Sequence, residues 1–295
     1  MVGHPGSQPV QEQMLKIRRL HASDIPVADE IRSREGWNQT VTDWTRLIEH
    51  QRDGCFAAIL ENQLVGAVST TVHNGEVAWI GMMLVHRDFR RQGIGRRLMQ
   101  AALDYLDALN VPCIKLDATP AGRPVYLKLG FREESSLNRW SRETAVTPWP
   151  NAAAPSPEGA ETWNTIASSD QLAFGANRLA WCQALAKDSH VVKLVGDNSD
   201  VDGDCGVGML RRGDRVPYIG PIVSNSERLG CQIGEQLASL VGGAYWDIPT
   251  QNQAARATAH SLGFAPVREL YRMWRGTRVQ ERPEMQFAIT APETG

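Results

Sequence analysis

The sequence predicts an α+β fold made twice: two tandem domains, each a mostly antiparallel central sheet covered by helices. Three observations carry this prediction. The first half reads β-α-α-β-β-β-α-β-α-β, with alternating strand-like runs between segments that carry a helical apolar stripe. A segment at 141–160 holds Pro148, Pro150, Pro155 and Pro157 among Ala, Ser and Thr, buries little surface and reads as a linker. The residues beyond that segment then repeat, in order, landmarks of the residues before it. The predicted division is a flexible tail at 1–14, a first domain at 15–140, the linker at 141–160, a second domain at 161–280 and a tail at 281–295.

In the first half, residues 15–20 alternate as a short strand. The run His21-Ala22-Ser23-Asp24 offers caps for a helix carrying Ile25, Val27, Ala28 and Ile31. Gly36-Trp37-Asn38-Gln39 breaks it, and Thr42 or Asp43 is the expected cap of a helix with Trp44, Leu47 and Ile48. Strand-like runs follow at 55–61, 64–73 and 76–85, joined at Glu61-Asn62 and Asn74-Gly75, the residue types tight turns need. An amphipathic helix at 95–109 carries Leu98, Ala102, Tyr105 and Leu109. A short buried strand at 114–117, a short helix at 124–129 and a last strand from 131 to 140 complete the half.

Bulk composition narrows the function classes. Of 295 residues 42% are hydrophobic and 22% charged, the balance of a soluble globular protein, and the formal net charge is −2. No basic block tracks a phosphate backbone, which argues against nucleic acid as a partner. The five cysteines and seven histidines show neither C-x-x-C nor H-E-x-x-H spacing, so no metal site or disulfide framework is expected. With no apolar run of about 18 residues and a polar N-terminus, neither a membrane nor secretion is expected, and a reducing cytoplasm fits best.

The chemistry-bearing stretch is Arg90-Arg91-Gln92-Gly93-Ile94-Gly95, a loop between a strand and a helix. A loop opening a helix points unpaired N–H groups one way, and glycines there let a phosphate approach the backbone. Arg87, Arg90, Arg91, Arg96 and Arg97 favour a polyanion. Taken alone, the glycine pair reads more readily as a helix start with a solvated basic face.

The spacing R-x-x-G-x-G, the strand ending Met82-Met83-Leu84-Val85, and Tyr126-x-x-x-Gly130-Phe131 together resemble the GCN5-related N-acetyltransferase (GNAT) superfamily. The resemblance covers residues 17–140. More narrowly, the chain resembles bacterial tandem members with a shortened C-terminal copy, through Gly36-Trp37-Asn38, Asp170-x-x-x-Phe174-Gly175-x-x-Arg178, Gly220-Pro221 and Asp247-Ile248-Pro249. The resemblance implies acetyl-CoA as cofactor, its pyrophosphate on Arg90, Arg91, Gln92, Gly93, Ile94, Gly95 and Arg96. It also implies a bulge that splays the preceding strand, with the pantetheine along Met83, Leu84 and Val85. Thr119 stands where the family often has a cofactor-contacting asparagine, and a hydroxyl replaces only one of the amide's two kinds of hydrogen bond.

Transfer to an amine needs no protein nucleophile. It needs the reactants held together, a stabilised oxyanion and two proton transfers. A backbone N–H near Met83 or Leu84 is the candidate for the oxyanion. The resemblance implies Tyr126 as general acid toward the thiolate; otherwise it is a ring packed under the Gly130-Phe131 turn. The base stays open among Asp117, Glu76, His73 and His86, because Trp79 occupies the position where family members often carry a glutamate; Asp117, at the end of a buried strand, is alternatively a residue that orients substrate. Trp37, Asn38, Trp79 and Asp247 are candidate substrate residues, with Trp246, Tyr218 and Arg178 further candidates to line a cleft.

At one constant offset, residues 79–98 fall on 218–237, matching Ile80 with Ile219, Gly81 with Gly220, Ile94 with Ile233 and Gly95 with Gly234. Leu129-Gly130-Phe131 recurs as Leu262-Gly263-Phe264. In the second copy Leu229, Gln232 and Ala259 replace Arg90, Gly93 and Tyr126, so it is not expected to bind coenzyme A. The run from Asn198 to Asp204 superficially suggests a calcium loop, but Met209 stands at position 12 and a hairpin turn is the better reading. The expected function is an N-acetyltransferase acting on a small metabolite amine. The alternatives are a non-catalytic acyl-CoA sensor and a protein- or peptide-directed acetyltransferase.

Overall fold

The computed structural model describes residues 15–143, 160–196 and 203–295. The predicted tail at 1–14, most of the linker and the tip of the calcium-like run lie outside the described residues.

The first half holds β1 (Lys16–Arg19), α1 (Ile25–Arg34), α2 (Val41–His50), β2 (Phe56–Leu60), β3 (Gln63–His73), β4 (Val77–Val85), α3 (Ile94–Ala108), β5 (Cys113–Ala118), α4 (Arg123–Lys128) and β6 (Arg132–Arg142). The second holds α5 (Ala160–Phe174), α6 (Leu179–Ala186), β7 (His190–Val195), β8 (Cys205–Arg211), β9 (Tyr218–Ser224), α7 (Glu227–Ser239), β10 (Ala244–Pro249), α8 (Gln253–Ser261), β11 (Ala265–Gly276) and β12 (Gln286–Ala288).

Local chemistry accounts for most boundaries. Glu61 and Asn62 both have positive φ, as do Asn74 and Gly75, so both hairpins turn with the twist of their strands. The cap of α2 is Thr40, not Thr42 or Asp43. Its hydroxyl accepts from the Asp43 amide while the Asp43 carboxylate accepts from the Thr40 amide, a reciprocal box that satisfies both orphan donors. In α3, Ile94, Leu98, Met99, Ala102, Leu103 and Leu106 are buried, the stripe that seats it on the sheet.

The sheets of the two halves are one. The strand order is β1-β2-β3-β4-β5-β11-β6-β10-β9-β8-β7, with β12 on β9. The last strands are exchanged: β11 pairs with β5 of the first half, β6 with β10 of the second, and β6 and β11 pair with each other. All pairings are antiparallel except β4 with β5 and β9 with β10, each joined through a crossover helix. Buried charges pin the exchange. Arg272 of β11 holds both oxygens of Asp117 on β5 (3.0 Å each), and Arg139 of β6 holds Asp247 on β10 (2.9 and 2.6 Å).

The predicted tail at 281–295 is instead an ordered strap. After a 3-10 turn at Pro283–Met285, β12 pairs with β9 and the Ile289 amide donates to Asp247 O (3.1 Å), so the strap fills the space where β9 and β10 part. It continues across β4, where the Trp79 indole donates to Pro292 O (3.0 Å) and Arg178 donates to Gly295 O (2.6 Å). A Cβ on Gly220 would strike Ile289 O, and one on Gly81 would strike the Glu293 backbone. The matched pair Gly81/Gly220 thus makes room for the strap twice. The chain folds back because Met285, Phe287 and Ile289 are apolar and become buried. Among the described residues no helix is long and apolar enough to cross a membrane.

Candidate active site

β4 and β5 are paired only where Val77, Ala78 and Trp79 face Cys113, Ile114 and Lys115. Beyond that point they part. Ala67 faces Leu84 and Ser69 faces Gly81, which leaves Met82 and Met83 opposite Val68 alone, with Met82 at φ +47°. An extra residue in one strand bends it and takes it out of the ladder. The expected bulge and gap are therefore present.

At the outer end of the gap lies the glycine loop. Arg91 and Gly93 have positive φ (64° and 79°), and α3 starts at Ile94. Arg97 N–H donates to Gly93 O (3.1 Å), whereas among the described residues the amides from Arg91 to Arg96 have no acceptor within the chain. These free donors at a helix N-terminus form an anion nest. A Cβ on Gly93 would meet nothing within 4 Å, so the nest opens outward. The exposed Arg90 side chain folds back on its own chain: it donates to Val85 O (3.0 Å) and pairs with Glu35 (2.6 Å), which also holds Arg87 (2.9 Å). Its part is to shape the loop. Arg91, Arg96 and Arg97 are exposed, with no ion pair among the described residues.

Gly93→Ala tests the nest. Ala at φ +79° strains the loop by roughly 1–2 kcal/mol and places a methyl where an anion approaches. The expected result is at least a tenfold rise in the acetyl-CoA dissociation constant by calorimetry. Gly75→Ala, equally left-handed (φ +72°) and equally open but in the β3–β4 turn, should lose similar stability and no affinity. Equal effects on affinity would refute the nest.

At the inner end is a cavity of about 240 Å3, lined by Met82, Met83, Thr119, Tyr126, Trp37, Arg139, Arg268 and Glu293 among others. The Tyr126 ring stands edge-on to Phe131 (centroids 6.1 Å apart), and burial pushes its hydroxyl up to about 12. Thr119 accepts from the Gly122 amide (3.0 Å) and turns the chain into α4. Glu293 accepts from Gln39 Nε2 (2.7 Å); burial, aided by Asp43, pushes its carboxyl up to about 7 against the pull of Arg211. Arg268 stands opposite Arg139 in the β11–β6 register and, unlike Arg139, has no ion pair among the described residues. Burial and the Arg139 charge lower its pKa.

Several residues expected at the site have other roles. Glu76 is exposed in the β3–β4 turn and does not line the cavity, because the hairpin carries it to the opposite end of β4. Asp117 lines the cavity, but both its oxygens bind Arg272. Burial raises its pKa more than that pair lowers it. His73 is sealed between His50 and Phe174, and burial holds it neutral. His86 accepts from the Asp88 amide and contacts Arg34. Trp79 is fully buried under the strap with Arg272 over its ring (4.7 Å). Asn38 binds the 213–216 loop through Arg215 N, Val216 N and Val216 O. Asp247 lies behind the cavity, holding Arg139 and accepting from the Tyr218 hydroxyl (3.1 Å). Trp246 and Arg178 are likewise buried, the first bound to Phe287 O and the second to Asp170. Of the substrate candidates only Trp37 lines the cavity.

The family profile described as Acetyltransferase (GNAT) family matches residues 16–131, and a second, Acetyltransferase (GNAT) domain, matches 166–288. The chain belongs to the GNAT acetyltransferase family. It is a tandem GNAT protein and an acyltransferase, of a family that uses acetyl-CoA. A Bacillus subtilis protein named uncharacterized N-acetyltransferase YitH is 23% identical over 259 residues, covering 86% of this chain and 88% of its own. The holothin acyltransferase of a Pseudoalteromonas species is 24% identical over 281 residues, covering 91% and 90%. A solved structure from Pyrococcus horikoshii, provisionally assigned as an acetyltransferase, superposes with a TM-score of 0.77 at 24% identity over 99% of this chain and 100% of its own. At that identity it speaks for the fold alone.

The second GNAT copy has lost its nest in a way substitutions alone do not reveal. Leu229 and Gln232, which match Arg90 and Gly93, already lie inside α7, so helix hydrogen bonds use the amides that the first copy leaves free. β9 and β10 part as β4 and β5 do, but β12 occupies the gap. The Phe287 ring lies against Gly230 of α7, where any Cβ would collide. Asn252 caps α8 through the Ala255 amide (2.9 Å) and donates to Gln286 O (3.0 Å). It anchors the strap.

Proposed function

We propose that this chain is an acetyl-CoA-dependent N-acetyltransferase in which a small acceptor amine attacks the thioester directly. One observation carries the reading: a single gap between β4 and β5 runs from the free amides of the glycine loop to a cavity that contains Tyr126. Bound there, acetyl-CoA supplies an activated acetyl group. The amides from Arg91 to Arg96 hold its pyrophosphate, and Met83, Leu84 and Val85 offer a strand edge to the arm. Thr119 keeps its hydroxyl proton as a donor, because its oxygen already accepts from Gly122. Tyr126 holds its proton across the neutral range and is the acid for a departing thiolate.

Size and charge favour a small acceptor over a protein. The cavity is about 240 Å3 and the strap forms one wall through Pro292 and Glu293. Arg268 brings a cation without a direct counter-ion among the described residues, which suits an amine that also carries a carboxylate. Two measurements test the reading. Acetyl-CoA at a hundredfold excess over its dissociation constant should stabilise the protein by about 2.7 kcal/mol, seen as a rise in Tm. Thiol release should appear with amines, and first with amino acids and other carboxylated amines. No thermal shift at saturation defeats the cofactor assignment, and release only with peptides or proteins defeats the small acceptor.

A further inference from the structure

We propose that Glu293, delivered by the strap into the cavity beside β4, is the general base that takes the proton from the acceptor amine. The inference rests on the acetyl-transfer reading above. It is carried by placement. Glu293 lines the same cavity as Tyr126 and the bulge residues Met82 and Met83, and its backbone lies directly on Gly81. The other candidate acids are unsuited: Glu76 is outside the cavity and Asp117 is locked by Arg272. Glu293 instead accepts only from neutral donors, the Gln39 amide and its own backbone N–H, and has no ion pair closer than 4.0 Å among the described residues. A base must be within reach, free to accept and poised near working pH.

The groups facing it come from several elements: Asp43 of α2, Arg211 of β8, Arg139 of β6 and Tyr218 of β9. Asp43 opposes its ionisation and Arg211 favours it, while burial dominates and leaves the carboxyl near 7. The carboxylate takes a proton from the acceptor's ammonium nitrogen. The freed lone pair forms the N–C bond to the acetyl carbon, the C–S bond breaks with its electron pair leaving on sulfur, Tyr126 gives that sulfur a proton, and the second proton that the nitrogen sheds on becoming an amide restores the Tyr126 phenol. No other reactant is needed. The second copy gains a role through the strap, because β12, held between β9 and β10, fixes where the base projects.

The test is Glu293→Gln, which keeps an acceptor for Gln39. Its kcat should fall about 100-fold, acetyl-CoA affinity should stay unchanged, and the rise of kcat/KM with pH toward 7 should flatten. Glu293→Asp, which retains an acid on a shorter reach, should lose less and keep a pH limb. Wild-type turnover with an unaltered limb in Glu293→Gln overturns the proposal while leaving the cofactor reading intact. Failure of both wild type and variant to bind acetyl-CoA defeats the underlying reading, and the base with it. If Glu293→Gln does not fold, Glu293→Asp decides: full activity with an unshifted limb counts against the base, partial activity with a shifted limb supports it.

Discussion

Tyr126→Phe is expected to lower kcat about 100-fold or more, some 2.7 kcal/mol of transition-state stabilisation, with the fold and acetyl-CoA affinity unchanged. The effects separate because the Tyr126 hydroxyl has no hydrogen-bond partner among the described residues, while its ring packs against Phe131. Removing the oxygen leaves no buried partner unsatisfied and the ring stays, so stability should move by less than about 1 kcal/mol. With its pKa near 12, the phenol is fully protonated at neutral pH, so the wild type should show no loss of activity from this group until well above pH 10. Steady-state kinetics beside calorimetric acetyl-CoA titration measures both. Full turnover in Tyr126→Phe with intact binding removes the acid assignment.

Arg272→Met is expected to destabilise the fold by about 3–5 kcal/mol. Arg272 joins Asp117 to Glu281 (2.8 Å), Glu281 joins Lys115 (2.6 Å), and Lys115 reaches Glu134 (2.6 Å), a chain of charges across β5, β6, β11 and the start of the strap. Removing the guanidinium leaves Asp117, whose side chain is 0% exposed, without a counter-charge. The cost should be largest where Asp117 is ionised, above its raised pKa, and shrink in acid as it becomes neutral. Glu281 is shifted the other way but adds to the same trend: Arg272 and Lys115 hold it down to about 2, so its stabilisation is present above its ordinary range near 4.5 and is lost as pH falls toward 2. Urea unfolding gives the midpoint shift. Adding Asp117→Leu should recover a large part of the loss, and an undiminished loss in the double variant would count against an unpaired charge as the cause.

Much of the first half is legible in its sequence because the deciding signals are local. Turn residues at Glu61-Asn62 and Asn74-Gly75, the apolar stripe of α3 and the Gly93 loop act within a few residues of themselves. The spacing from Tyr126 to Gly130-Phe131 likewise lies within one helix and its turn. The cap at Thr40 is equally local and is missed only because Thr42 and Asp43 also read as caps. By contrast, Asp117 reads as a candidate base and Asp247 as a candidate substrate residue because a buried carboxylate's partner is invisible in one dimension: Arg272 and Arg139 are 155 and 108 residues away.

The α+β class, the repeat, the nest of the first copy and the loss of the loop residues in the second are all written in the order of residues along the chain. Backbone amides and nearby side chains supply those features. Three others emerge only on folding: β6 and β11 change places, residues 281–295 form a strap rather than a tail, and Glu293 and Arg268 meet Tyr126 in one cavity. The apolar residues Met285, Phe287, Ala288 and Ile289 and the Gly81/Gly220 match are the traces of the strap in the sequence. Both acquire meaning only when two distant strands part and leave a gap to be filled, since strand pairing and burial are set by long-range contacts that no local pattern encodes.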